Sequence, residues 1–156
     1  GRNAVFLAQS GFEVHSVDLS QAGAAKTRRL AAQRGVRVHA SVGDLATYDI
    51  GVERWDLIVS IFAHMPAAVR RDLHRRAVTA LKPGGALVLE AYTPDQIGRG
   101  TGGASVADTT VSLDLLTDEL APLQFLHAAE LEREVVEGDG HTGVGAVVQV
   151  IARKAG

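Results

Sequence analysis

Leu81-Lys82-Pro83-Gly84-Gly85-Ala86-Leu87-Val88-Leu89-Glu90 decides the architecture of this 156-residue chain. The residues leading into it, 67–81, place apolar side chains at Val69, Leu73, Ala77, Ala80 and Leu81 behind Pro66. That spacing predicts an amphipathic helix with proline at its start. The Pro-Gly-Gly turn ends the helix, and Ala86 to Tyr92 then reads as an apolar strand with a carboxylate, Glu90, near its end. Trp55 to Phe62 upstream is nearly all apolar, as expected of a central strand covered on both faces. Val17-Asp18-Leu19-Ser20 closes another strand on a carboxylate, with a serine two residues later to cap the next helix. Strands alternating with helices, with polar residues at the carboxyl ends of the strands, predict an open α/β sheet binding a nucleotide-like ligand.

The flanking segments extend this pattern. Residues 2–10 predict a short helix stopped by Gly11, and Phe12 to Asp18 alternates as a strand does. An Ala-, Lys- and Arg-rich helix over 21–34 ends at Gly35, and Val36 to Val42 has strand character before Gly43-Asp44-Leu45. Residues 93–111 read as a loop whose glycines at 98, 100, 102 and 103 suggest a mobile lid. A short helix around 112–121 precedes strand-like runs at 123–136 and 144–153. The turn Glu137-Gly138-Asp139-Gly140-His141-Thr142-Gly143 joins those runs as an antiparallel hairpin. No repeat, low-complexity tract or second-domain boundary interrupts residues 1–156, which read as a single domain.

A net charge of −2 and a pI near 6.3 give no global attraction to nucleic acid or to an anionic membrane. No cysteine is present, so thiolate chemistry and disulfides are excluded. No apolar run approaches the roughly 18 residues of a membrane span, and residues 1–20 do not resemble a signal peptide. The expectation is a cytoplasmic protein acting on a small molecule, with its oligomeric state left open. Gly1-Arg2-Asn3-Ala4 begins as a helix already under way, without an initiator methionine, and reads as the start of a fragment.

Asp18 offers only acceptors when ionised, which suits both hydroxyls of a ribose; its plain alternative is a helix cap. Asp44 suits an adenine amino group, or is a turn aspartate. Ser60, Ile61 and Phe62 close the apolar strand at the end that faces the ligand crevice in such sheets. His64 and His141 are the candidates for the reacting partner, since imidazole binds or moves a proton near neutral pH. The histidines lack an HExxH or related spacing, so no metal is expected. Arg70, Arg71, Arg75 and Arg76 read as a solvated basic helix face.

Taken together, these residues resemble the tellurite-resistance TehB-like branch of the class I methyltransferases. Gly1-Arg2-Asn3-Ala4 looks like the end of that family's glycine-rich motif, Val17-Asp18-Leu19-Ser20 like its acidic motif and Gly43-Asp44-Leu45 like its adenine motif. Val59 to Pro66, Leu81 to Gly85, Thr101-Gly102-Gly103 and the Glu137–Gly143 turn also look like family signatures. The resemblance implies a Rossmann-like, mostly parallel sheet with a C-terminal antiparallel hairpin, its first strand and glycine-rich turn missing from these residues.

It further implies S-adenosyl-L-methionine as cofactor, held by Gly1, Arg2, Asn3, Asp18, Leu19, Ser20, Gly43, Asp44, Leu45, Ser60, Ile61 and Phe62. His64 and His141 would then serve a small acceptor, a chalcogen oxyanion or other soft nucleophile. Such a transfer needs alignment and a dry site more than a strong base. The rival readings are an NAD-dependent oxidoreductase and a methyltransferase-like module that binds without catalysis.

Overall fold

Helix α1 (Arg2–Gln9) starts from Gly1 and buries Val5. Strand β1 (Val14–Asp18), helix α2 (Gln21–Gln33) and strand β2 (Val38–Val42) follow it. The computed structural model describes residues 1–136 and 142–156. It divides into two compact units, Gly1–Asp49 and Ile50–Gly156. In the first, β1 and β2 pair in parallel, Val14 opposite Val38 through Asp18 opposite Val42. Val5, Val14, Ala31 and Val38 form its small core. Ser20 caps α2 as its sequence position predicts, its hydroxyl accepting from the Gly23 amide at 3.2 Å.

The second unit contains β3 (Trp55–Ile61), α3 (Ala67–Ala80), β4 (Leu81–Tyr92), α4 (Leu113–Glu119), β5 (Gln124–Val136) and β6 (Thr142–Arg153). Its sheet runs in the order β3-β4-β6-β5, with β3 parallel to β4 and β6 antiparallel to both neighbours. The expected C-terminal hairpin is present as the β5–β6 ladder; the turn residues 137–141 lie outside the described residues. Leu81, Leu87, Leu89, Leu116, Leu120, Val148 and Val150 are buried together between sheet and helices. None of the helices among the described residues is long and apolar enough to cross a membrane.

Five expectations need correction. Among the described residues the pairing is mixed rather than mostly parallel: β1–β2 and β3–β4 are parallel, and β6 pairs antiparallel on both its edges. Strand β3 lies at the end of its sheet and is only half-buried, so its apolar run does not mark a strand covered on both faces. Strand β4 begins at Leu81 rather than Ala86, and Pro-Gly-Gly forms an irregularity inside it, with Trp55 opposite Leu81 and Leu57 opposite Ala86. Gly84 there has φ +76°, and a Cβ on Gly85 would lie 2.9 Å from the Lys82 oxygen and 3.0 Å from the Trp55 oxygen. Both glycines are therefore demanded by backbone, one by conformation and one by space.

The fourth correction concerns Arg70, which is not on a solvated face. Its side chain is 7% exposed, beside Glu119 at 6% and His74 at 5%. The Arg70 guanidinium donates to both Glu119 carboxylate oxygens at 3.0–3.2 Å and to the Thr110 carbonyl at 3.0 Å. The Nδ1 of His74 donates to the other side of the same carboxylate at 2.7 Å. Of the remaining arginines, Arg71 and Arg75 are exposed and Arg76 is half-buried; Arg75 and Arg76 both pair with Asp72, whose carboxyl their hydrogen bonds hold below its ordinary range. The glycine-rich segment is likewise tied down. Gln96, 2% exposed, donates to Thr101 and Gly102 and accepts from the Ala146 amide of β6.

Removing Glu119 strands a buried guanidinium. Glu119→Ala should cost about 3–5 kcal/mol in urea denaturation, whereas a combined Arg70→Met, Glu119→Leu replacement should cost far less. A loss from Glu119→Ala no larger than that of an ordinary surface substitution would contradict this account.

Burial pushes the pKa of His74 below its ordinary 6.5, against the raising pull of Glu119 and with a further lowering from Arg70. The unfolded chain therefore binds this proton more readily than the native one, and stability rises with pH across that window. The contribution is complete above about 6.5 and is lost as pH falls toward the native value. The wild type should lose stability between neutral and mildly acidic pH more steeply than His74→Gln; parallel curves would refute this.

Candidate functional site

The carboxyl ends of β1 and β2 lie side by side, because Asp18 is the register partner of Val42 and the Gly43 amide donates to the Asp18 carbonyl at 3.0 Å. The Asp18 Oδ1 accepts from the Ser20 amide at 2.8 Å, a turn that precedes the helix, while the cap itself is the Ser20 hydroxyl. That bond uses one of about four lone-pair sites on an ionised carboxylate. The other oxygen, Oδ2, would lie 2.2 Å from a Cβ on Gly23. Only the absence of a side chain there lets the Asp18 carboxylate rest over the first turn of α2, where the helix end favours negative charge.

Asp44 is built in the same way. Its Oδ1 accepts from the Ala46 amide at 2.9 Å, and its carbonyl accepts from Thr47 and Tyr48 at 3.0 and 2.7 Å. A Cβ on Gly43 would meet the Tyr48 ring at 2.6 Å. Next to the two carboxylates in sequence, Leu19 is 74% exposed, Ser20 is exposed and Leu45 is half-buried. Six of the residues singled out from sequence thus occupy two adjacent strand ends. Gly1, Arg2 and Asn3 are exposed at the start of α1, where a Cβ on Gly1 would press on Thr27.

In the second unit, Ser60 and Ile61 finish β3 half-buried, and Phe62 turns into the left-handed region at φ +50°. Such backbone costs about 1–2 kcal/mol for a residue with a Cβ. It is held by the Phe62 amide donating to the Glu90 carbonyl at 2.8 Å. The Phe62 ring stacks on Tyr92 with centroids 4.6 Å apart, and His64 stacks on Tyr92 at 5.4 Å and 9°. His64 therefore lies on an aromatic shelf that the sequence reading did not foresee. His141 lies outside the described residues.

Three more polar side chains gather at this shelf. The Glu90 carboxylate accepts from Arg133 at 2.6 Å and from Gln149 at 3.1 Å, and the Arg133 guanidinium lies 5.8 Å from the Phe62 ring centre. Glu90 was visible in the sequence as a carboxylate near the end of a strand. Arg133 was not, because it reaches Glu90 from β5 across the width of β6. Tyr92 is buried and had no polar signal of its own.

Residues 1–85 match the family model described as a methyltransferase domain, more than half of the chain. The chain belongs to this methyltransferase family. Solved structures share its fold. TehB from Haemophilus influenzae superposes with a TM-score of 0.78 at 20% identity, over 99% of this chain and 54% of that one. The protein solved in connection with conversion of a disulfide bond into a thioacetal group during echinomycin biosynthesis gives 0.77 at 19%, over 99% and 71%. An S-adenosylmethionine-dependent methyltransferase from Methanosarcina mazei gives 0.67 at 16%, over 97% and 86%. No curated protein sequence matches this chain. The domain is thus an α/β methyltransferase with a Rossmann-like, mixed-sheet fold, and its family implies S-adenosylmethionine.

Proposed function

We propose that this domain binds S-adenosylmethionine at the ends of β1 and β2 and methylates a small acceptor, a chalcogen oxyanion or other soft nucleophile. The observation that carries the reading is the pair of acceptor-only carboxylates, Asp18 and Asp44, on neighbouring parallel strand ends beside the exposed Leu19. A ribose diol and an exocyclic amine are donors, which carboxylates accept, and an apolar side chain suits the face of a purine. When bound, the cofactor supplies an electrophilic methyl group on a sulfonium. Asp18 fixes the sugar and Asp44 the base, with Gly1, Arg2, Asn3, Ser20, Gly43 and Leu45 completing that unit's contribution.

Ser60, Ile61 and Phe62, which the family resemblance assigns to the cofactor, end a strand of the second unit, and there we assign the acceptor to the shelf of Phe62, Tyr92 and His64. His64 is exposed on this shelf, where an imidazolium can meet an anion from solvent and hold it without removing a proton from it. His141 is assigned to the acceptor as well. A soft nucleophile needs no general base, in keeping with a shelf that is more aromatic than acidic. The sulfur chemistry named for the echinomycin protein supports an acceptor of this class.

Asp18→Ala should weaken S-adenosylmethionine binding by about 1.5–3 kcal/mol in calorimetry, the range for hydrogen bonds to a charged group. Gly23→Ala, which displaces the same carboxylate, should weaken binding while leaving the fold intact. Unchanged affinity in both variants would remove Asp18 from the site.

His141→Ala should lower turnover with little change in cofactor affinity. Loss of cofactor binding with turnover preserved at saturating cofactor would assign this histidine the opposite role.

A further inference from the structure

We propose that Glu13, His15 and His39 form a binding site for a divalent transition-metal ion of the zinc, nickel or copper class. His15 and His39 are register partners across the β1–β2 ladder, and their rings stack with centroids 4.6 Å apart and planes 15° from parallel. The Glu13 carboxylate lies just before β1, with the same oxygen 3.5 Å from Nε2 of His15 and 3.9 Å from Nε2 of His39. One ligand atom from each residue falls within 4.8 Å of the other two. A tetrahedral ion with bonds of about 2.0–2.1 Å holds adjacent donors about 3.3 Å apart and lies in the plane of each imidazole, so binding needs a contraction of the group and a turn of both rings out of their stack.

That contraction is available to it. The side chains of His15 and His39 are 30% and 36% exposed, and that of Glu13 is 79% exposed and outside the ladder. An ion can enter from solvent, and the carboxylate can swing toward it. Two imidazoles with one carboxylate suit zinc, nickel or copper, whereas magnesium and calcium take oxygen ligands. Solvent completes the coordination.

This is a different place from the strand ends that carry Asp18 and Asp44. His15 precedes Asp18 by three residues, about 10 Å along the strand, and alternation turns the two side chains to opposite faces. Val14 and Val38, adjacent to the two histidines, point the other way into the core under α1 and α2. An ion held here would clamp β1 to β2 from the face that this core does not use. The two histidines lie 24 positions apart in sequence, so no local motif announces the group; only the parallel register makes them neighbours.

Calorimetric titration with zinc chloride, and separately with nickel chloride, should show one saturable equivalent per chain, with no such binding of magnesium. His15→Gln and His39→Gln should each weaken zinc binding at least about tenfold, the lower limit seen even for partners outside the ligand shell. Glu13→Gln should also weaken it, and His127→Gln should not. Zinc should raise the melting temperature of the wild type and of His127→Gln, but not that of His15→Gln. Circular dichroism verifies that each variant is folded, and S-adenosylmethionine affinity should be the same in His15→Gln as in wild type. If wild type shows no saturable zinc binding, or if His15→Gln and His39→Gln bind zinc as wild type does, the residues form an ordinary imidazole–carboxylate pair and the site is refuted.

Discussion

The larger unit depends on β6 being paired along both edges. Placed between β4 and β5, it satisfies its backbone donors and acceptors with neighbouring strands, which lets Val147, Val148, Val150 and Ala152 be buried at no hydrogen-bonding penalty. Everything that distinguishes this unit then hangs on that strand. The Ala146 amide is where Gln96 fastens the glycine-rich segment, and Val144 accepts from Thr101. Gln149, on the same strand, supports the carboxylate of Glu90, its register partner on β4.

Element order was legible because the chain states it twice, in hydrophobic period and in punctuation. Gly11, Ser20, Gly35 and Pro66 mark helix ends that the structure keeps within a residue or two. Pairing was less legible. A continuous apolar run such as Trp55 to Phe62 says that a strand is present but not whether it lies inside a sheet or at its end. The Pro-Gly-Gly segment reads as a turn from sequence, yet its glycines let the chain make an irregular strand start, because the carbonyls of Trp55 and Lys82 press on Gly85.

The candidate site divides along the same line. Asp18, Ser20 and Asp44 could be singled out because they stand next to strand and helix ends. Tyr92, Arg133 and the Glu13–His15–His39 group could not, because each depends on which strand lies beside which. Arg70 is the sharpest case. Helical spacing places it among three other arginines, and only the docking of Glu119 from a distant helix separates the buried guanidinium from the solvated ones.

Helix α4 is seven residues long, shorter than a peptide needs to hold helical form in water. Its last residue is Glu119, which is bound by Arg70 and His74 of α3. The helix is thus a docked element more than an autonomous one: an opening of α3 releases α4, whereas α4 can open while α3 stays packed. Amides of 113–119 should therefore exchange at least as fast as those of 67–80.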